Sequence, residues 1–308
     1  MTSLRDRARA QAGAQARGQG RAGTGAHGTA LPGTGGPRRT RLVRPLTALS
    51  VVVAVLFLAA AAFGQALLPH WDAQDITAGA RMPGDGHLLG TDDLGRDIAS
   101  MVVAGARSTL TGAALVALGS MLIGNVLGLL AGYLGGWTDV LVRRWADLLL
   151  AVPALLVTLV VAGIGGGGWT LAVCALVVLT SPSDIRLVRT AVLEQRHLPY
   201  VEAAETLGLP RRTVMLRHIW PNTLPVVVAN TLLNFAGAVV ALSSLSFLGL
   251  GVPPGAPDWG RMLSENRNLL WTNPSAALAP AALIVLSAVV LNLLGDRVLE
   301  AFSERGRS

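Results

Sequence analysis

Six apolar runs divide the chain, at about residues 46–68, 110–133, 140–163, 169–188, 224–250 and 276–294. Several exceed the roughly 18 apolar residues that mark a membrane-spanning helix. The first holds 23 residues, enough to cross a hydrocarbon core of about 30 Å at about 1.5 Å per residue. The pattern predicts an all-α membrane protein with six transmembrane helices. Glycine and proline punctuate it. "GG" at 135–136 ends the second run, and "GGGG" at 165–168 turns the chain between the third and fourth. "SPSD" at 181–184 is expected to break the last part of the fourth, and "GVPPGAPDWGRML" separates the fifth from the sixth.

Outside the runs, residues 1–44 are rich in Gly, Ala, Gln and Arg and show no apolar periodicity. A segment that buries so little apolar surface cannot offset its chain entropy, so it reads as a disordered basic tail on the cytoplasmic side. "PRRTRLVRPL" before the first run invites a signal-sequence reading, but the run is long enough to be a retained span. Residues 45–107 then hold the first span and an extracytoplasmic segment, and residues 108–302 the transmembrane core. Arginine placement orients the chain. With the N-terminus inside, 20 arginines fall on the cytoplasmic side and five, Arg81, Arg96, Arg107, Arg261 and Arg267, on the other. Without the tail the ratio is still eleven to five. The expected topology is N-in and C-in.

Composition narrows the chemistry. Hydrophobic residues make up 52% of the chain and charged residues 14%, which rules out an ordinary soluble globule. All 25 basic residues are arginine. A chain without lysine cannot carry the phosphate-binding G-x-x-x-x-G-K-[ST] loop, so an ATP-driven process would need its ATPase on another chain. Cys174 is the single cysteine, in an apolar run where a small buried hydrophobe is expected. The five histidines show no ligand spacing, and no G-x-S-x-G motif occurs. "GIGGGG" at 163–168 satisfies G-x-G-x-x-G, but it joins two membrane helices rather than a strand and a helix. No catalytic residue, metal site or bound cofactor is expected, and no nucleic-acid partner.

Two patterns remain inside the spans. Ser120, Gly124, Gly128 and Gly132 recur every fourth residue, one helix face on which another helix can approach closely. Ionisable residues are absent from the predicted centres, with Asp147, Asp184 and Asp296 placed toward cytoplasmic ends. Ion-coupled carriers keep such groups at mid-depth, so the pattern favours a pathway of uncharged polar groups such as Asn125, Ser181, Asn230, Asn234 and Ser243. Each of these also suits an interhelical hydrogen bond.

The segment 200–222, "YVEAAETLGLPRRTVMLRHIWPN", is polar within this apolar chain. Pro199 suits the first helical position, and Glu202 lies near the positive end of the helix dipole. Gly208 suits the left-handed position after a helix, and Pro210 cannot continue it. A second short basic helix is expected from Arg211 to Ile219, stopped by Pro221. The product is a helix–turn–helix elbow below the membrane, with Ala203 and Ala204 keeping its surface low enough for another protein to approach. Physics alone leaves open a docking elbow, and for the whole chain a secondary carrier or a membrane scaffold.

At these residues the chain resembles the permease subunits of bacterial ATP-binding-cassette importers. "EAAETLG" followed by "HIWPN" is similar to their E-A-A-x-x-x-G-x(9)-I-x-L-P signature, with His218 and Trp220 departing from it and Pro221 agreeing. "HLLGTDDLGRDIASMVVAGARSTL", "SFLGLGVPPGAPDWGRML" and "NLLGDRVLEAF" resemble the C-type subunit of the dipeptide, oligopeptide and nickel branch. The resemblance implies the type I importer permease fold and a coupling loop at about 197–221. Tyr200, Glu202, Ala203, Ala204, Gly208 and Pro221 would form that loop, seated on an ATPase. It also implies a B-type permease partner, two ATPase chains that hold the ATP, and an extracytoplasmic substrate-binding protein.

Overall fold

The computed structural model describes residues 39–68, 71–75, 79–84 and 86–305. Residues 1–38 of the expected tail lie outside the described residues. All packing considered below falls within Arg44–Ser308, one compact unit. Among the described residues the regular structure is helical, with two isolated β-bridges, Gly84 to His87 and Thr91 to Asp97.

The first helix, α1, spans Arg39–Leu67 and so begins inside the segment read as tail. α2 covers Ile98–Leu134, twelve residues longer at its start than the apolar run. Asp97 explains the early start: as N-cap, its carboxylate accepts from the Ser100 backbone N–H at 2.8 Å and the Ser100 hydroxyl at 2.7 Å. Burial pushes the Asp97 carboxyl up, but the Ser100 hydrogen bonds and His87 at 2.9 Å outweigh it and hold the group below its ordinary value.

The third run is not one straight span. α3, Gly136–Leu150, and α4, Ala154–Ile164, meet at an angle of 79°. Pro153 stands at the break. It has no N–H to donate, and it steers the preceding Val152 away from helical geometry.

α5, Trp169–Arg196, runs unbroken through "SPSD", contrary to expectation. Pro182 deprives the Val178 carbonyl of its usual donor, and the Ser181 hydroxyl donates to that carbonyl instead, at 2.8 Å. Cys174, expected to be buried, lies on the exposed side of this helix. The proline device recurs in the last helix, where Pro280 frees the Ala276 carbonyl and the buried Asn266 side chain reaches it at 3.4 Å.

α6 is the short helix Pro199–Thr206, and α7 runs Arg211–Phe247. Pro221 does not stop the basic helix as expected. The turn at Val214–Ile219 widens to π geometry, with the Trp220 N–H reaching the Met215 carbonyl, and the helix continues into the membrane. α8, Trp259–Glu265, and a 3-10 segment Asn266–Trp271 lead to α9, Ser275–Arg305. Among the described residues, five helices are long and apolar enough to cross a membrane, and six if the bent pair is one span.

The small-residue stripe on α2 is the seam of the bundle, and its partner is α5 of the same chain. A Cβ at Gly128 would stand 2.8 Å from that of Val188, and one at Gly132 would stand 2.8 Å from that of Val192. At Gly124 an added carbon would overlap Asp184. Asp184, Val188 and Val192 form the ridge that fills this groove, and Ser120 continues it, buried. Arg189 of α5 grips Asp139 of α3 with two hydrogen bonds, and Arg186 pairs with Asp147 at 2.6 Å.

Candidate functional site

The elbow is built as a capped helix held against three others. α6 ends in a glycine-centred cap: Gly208 has φ +76°, its N–H reaches the Glu205 carbonyl at 2.9 Å, and the Leu209 N–H reaches Ala204 at 3.3 Å. This pair of bonds is the Schellman arrangement, which needs a left-handed residue at the position of Gly208. Val201 and Ala204 point into a cluster with Tyr133, Val188, Val192, Val214 and Ile219. Ala204 is thus a packing residue, and of the two alanines only Ala203 faces outward.

Tyr200 fastens the other edge. Its hydroxyl donates to Gln195 Oε1 at 2.7 Å and accepts from Asn222 Nδ2 at 3.2 Å, joining the end of α5 to the start of the membrane part of α7. Pro221 is exposed beside this junction. A third link was not visible in the sequence. The Tyr133 hydroxyl, at the end of α2, donates to Glu205 Oε1 at 3.1 Å, with the Arg196 guanidinium 5.9 Å from the Tyr133 ring. The surface left free is Glu202, Ala203, Thr206 and Leu207. Leu207 is 80% exposed at the tip, although nothing in its sequence spacing distinguishes it from a core leucine.

At the opposite end of the bundle, two of the quoted motifs meet. Asp92 accepts from Arg96 Nε at 2.7 Å, and both residues are buried. Arg96 also donates to the Gly255 carbonyl at 3.2 Å, and Glu265 accepts from the Gly255 N–H at 2.9 Å and from Arg261 at 2.8 Å. Asp258 caps α8 through the Arg261 N–H and accepts from Thr109 of α2 at 3.0 Å, while Trp259 donates its indole N–H to Val102 at 2.8 Å. "GTDDLGRD" and "PPGAPDWG" are therefore two halves of one staple over the end of α2. Neither end assembles a nucleophile with a base, and among the described residues no group of three His, Cys, Asp or Glu is placed to hold a metal.

The comparisons with known proteins agree with this architecture. The chain is 36% identical over 271 residues to a glutathione transport system permease protein of Pectobacterium atrosepticum, covering 87% of this chain and 90% of that protein. It is 34% identical over 226 residues to a dipeptide transport system permease protein of Alkalihalophilus pseudofirmus, covering 73% and 74%. Its fold is similar to a chain of the inward-facing MetNI methionine ABC transporter, with TM-score 0.52, 18% identity, and coverage of 66% of this chain and 97% of that one. Residues 124–308, from the small-residue seam through the elbow to the last helix, match the model of one family. The chain belongs to the binding-protein-dependent transport system inner membrane components, and is a multi-pass protein of the bacterial inner membrane.

Proposed function

We propose that this chain is the C-type permease subunit of an ATP-driven importer for peptides or a related small solute, forming half of the translocation pathway. The observation that carries the coupling role is the elbow: Tyr200, Val201, Ala204 and Glu205 fasten it to α2, α5 and α7, while Glu202, Ala203 and Leu207 face outward. A short helix bound on one side to three spans transmits a push applied on its other side. Its natural partner is an ATPase chain, because this chain has no lysine for a phosphate-binding loop of its own.

In this reading both termini and the elbow are cytoplasmic, and the basic segment 1–44 lies on that side. A B-type permease completes the pathway, two ATPases bind below, and an extracytoplasmic binding protein delivers the solute to the face that carries the Asp92–Arg96–Glu265 staple. The chain contributes no catalytic residue and binds no cofactor; ATP sits on the partner chains. The relatives' names, glutathione and dipeptide transport permeases, support a solute with a peptide backbone.

Co-purification tests this. Co-expressed with its genomic neighbours and extracted in mild detergent, the tagged chain should retain a nucleotide-hydrolysing partner and a second permease. Recovery of the intact chain without any ATPase would refute the importer reading and return the choice to a carrier or a scaffold.

A further inference from the structure

Asp184 is the sixteenth of the 28 residues of α5, and its side chain is fully buried in the bundle rather than at a helix end. Its Oδ1 accepts from Asn230 Nδ2 at 2.8 Å and from Asn234 Nδ2, both on α7. Its Oδ2 is buried with no hydrogen-bond partner among the described residues. Arg186 and Arg189, two and five residues along α5, are engaged with Asp147 and Asp139. A buried carboxyl group with no cationic partner is costly, and within membrane helices such residues mark solute or ion pathways more often than packing.

Beside it lies a cavity of about 350 Å³ whose polar lining is Ser120, Thr180, Ser183 and Asn234; Leu150 and Ala154, either side of the Pro153 break, line it too. The hydrogen bonds fix what this lining offers. A carboxylate only accepts, so Asn234 turns its NH₂ toward Asp184 and leaves its carbonyl oxygen to the cavity. The Thr180 hydroxyl proton is committed to the Leu176 carbonyl at 2.7 Å, while Ser120 lies between the Ala117 carbonyl at 3.2 Å and the Asp184 carboxyl. Thr180 then offers lone pairs to the cavity. No basic side chain lines the cavity. A mostly apolar wall thus offers the acceptors of Asn234 and Thr180, with the buried Asp184 carboxyl group behind it.

We infer that this cavity binds the ammonium group of the solute in transit, the free α-amino group of a peptide. The Asn234 carbonyl oxygen is the contacting acceptor, and Asp184 is the positioning charge that orients it. The inference rests on the peptide-importer reading for the identity of the solute, but not for the sign of its charge.

Thiol reactivity tests the sign without knowing the substrate. In the full chain, assembled with its partners, Cys174→Ser removes the only thiol and Ser183→Cys places one on the cavity wall. Relative to a free thiol in water, that thiol should react about tenfold or more faster with trimethylammonium-ethyl methanethiosulfonate than with its sulfonate counterpart, the ratio that one modest charge interaction produces. Adding Asp184→Asn should bring the ratio close to one. The rate with neutral methyl methanethiosulfonate should stay unchanged, which reports that the bundle still folds. Dialanine should protect the thiol from the cationic reagent, and N-acetyl-dialanine should not.

Equal rates, a faster anionic reagent, a thiol inert to all three, or a preference that survives Asp184→Asn would each overturn the cation site. A preference that depends on Asp184, combined with no protection by dialanine or longer free peptides, would keep the site and remove the peptide as its ligand.

Discussion

Gly208→Val should abolish coupling while leaving the chain in the membrane. Gly208 holds φ +76° at the cap of α6, and a left-handed conformation costs an L-residue about 1–2 kcal/mol, more when the side chain is β-branched. The cap cannot shift cheaply, since it satisfies the carbonyls of Ala204 and Glu205. An eight-residue helix has no stability of its own to absorb the loss. Relaxing the strain turns Leu207 and Glu202 away from their present positions, so ATP-driven uptake should fall about tenfold or more. Membrane insertion and the thermal stability of the isolated subunit should change little, because no atom lies near the new side chain. Uptake at the parental rate in such a variant would remove the elbow from the coupling path.

The second large effect belongs to the seam. Gly128→Leu should prevent α2 and α5 from closing. A first carbon there already stands 2.8 Å from Val188 Cβ and 2.9 Å from the Ile185 carbonyl, and leucine adds three more carbons in the same space. Overpacking of this kind costs about 1–3 kcal/mol when neighbours can yield, and more when they are backbone. The expected result is a clear fall in detergent melting temperature with loss of the monodisperse peak. Gly163→Leu on α4 is the control, since nothing lies within 4 Å of it. If the two variants melt alike, the seam is not what holds these helices together.

These two glycines also show what was legible in the sequence. Four small residues at spacing four gave the seam, because helical geometry turns that spacing into one face; only the structure showed that the partner helix is α5. The elbow was legible at its ends, where Pro199 and Gly208 each have one favoured position in a helix. It was less legible within. Ala203 and Ala204 look alike, yet they face different ways because the helix turns about 100° between neighbours.

Prolines misled in both directions. Pro153 does break its span, while Pro182 and Pro221 do not. Pro182 is tolerated because the Ser181 hydroxyl supplies the freed Val178 carbonyl, and Pro221 because it stands in the first turn of the α-helical stretch that follows the π segment. Such compensation depends on side-chain geometry that one-dimensional spacing does not carry. Asp184 followed the same pattern. It reads as a residue near a helix end if α5 stops early, and as a central buried acid once α5 continues to Arg196. Glu205 and Leu207, variable positions of the signature, became visible only through a hydrogen bond to Tyr133 and through exposure.

A seat for the free face of the elbow on an ATPase can be read by cross-linking from Leu207. In a Cys174→Ser background, Leu207→Cys is labelled with a photoactivated maleimide in membranes that express the whole transporter. The expected result is a covalent adduct with the nucleotide-binding chain, weakened by Gly208→Val. Adducts with lipid or with the second permease only, in membranes that still take up solute at the parental rate, would contradict it.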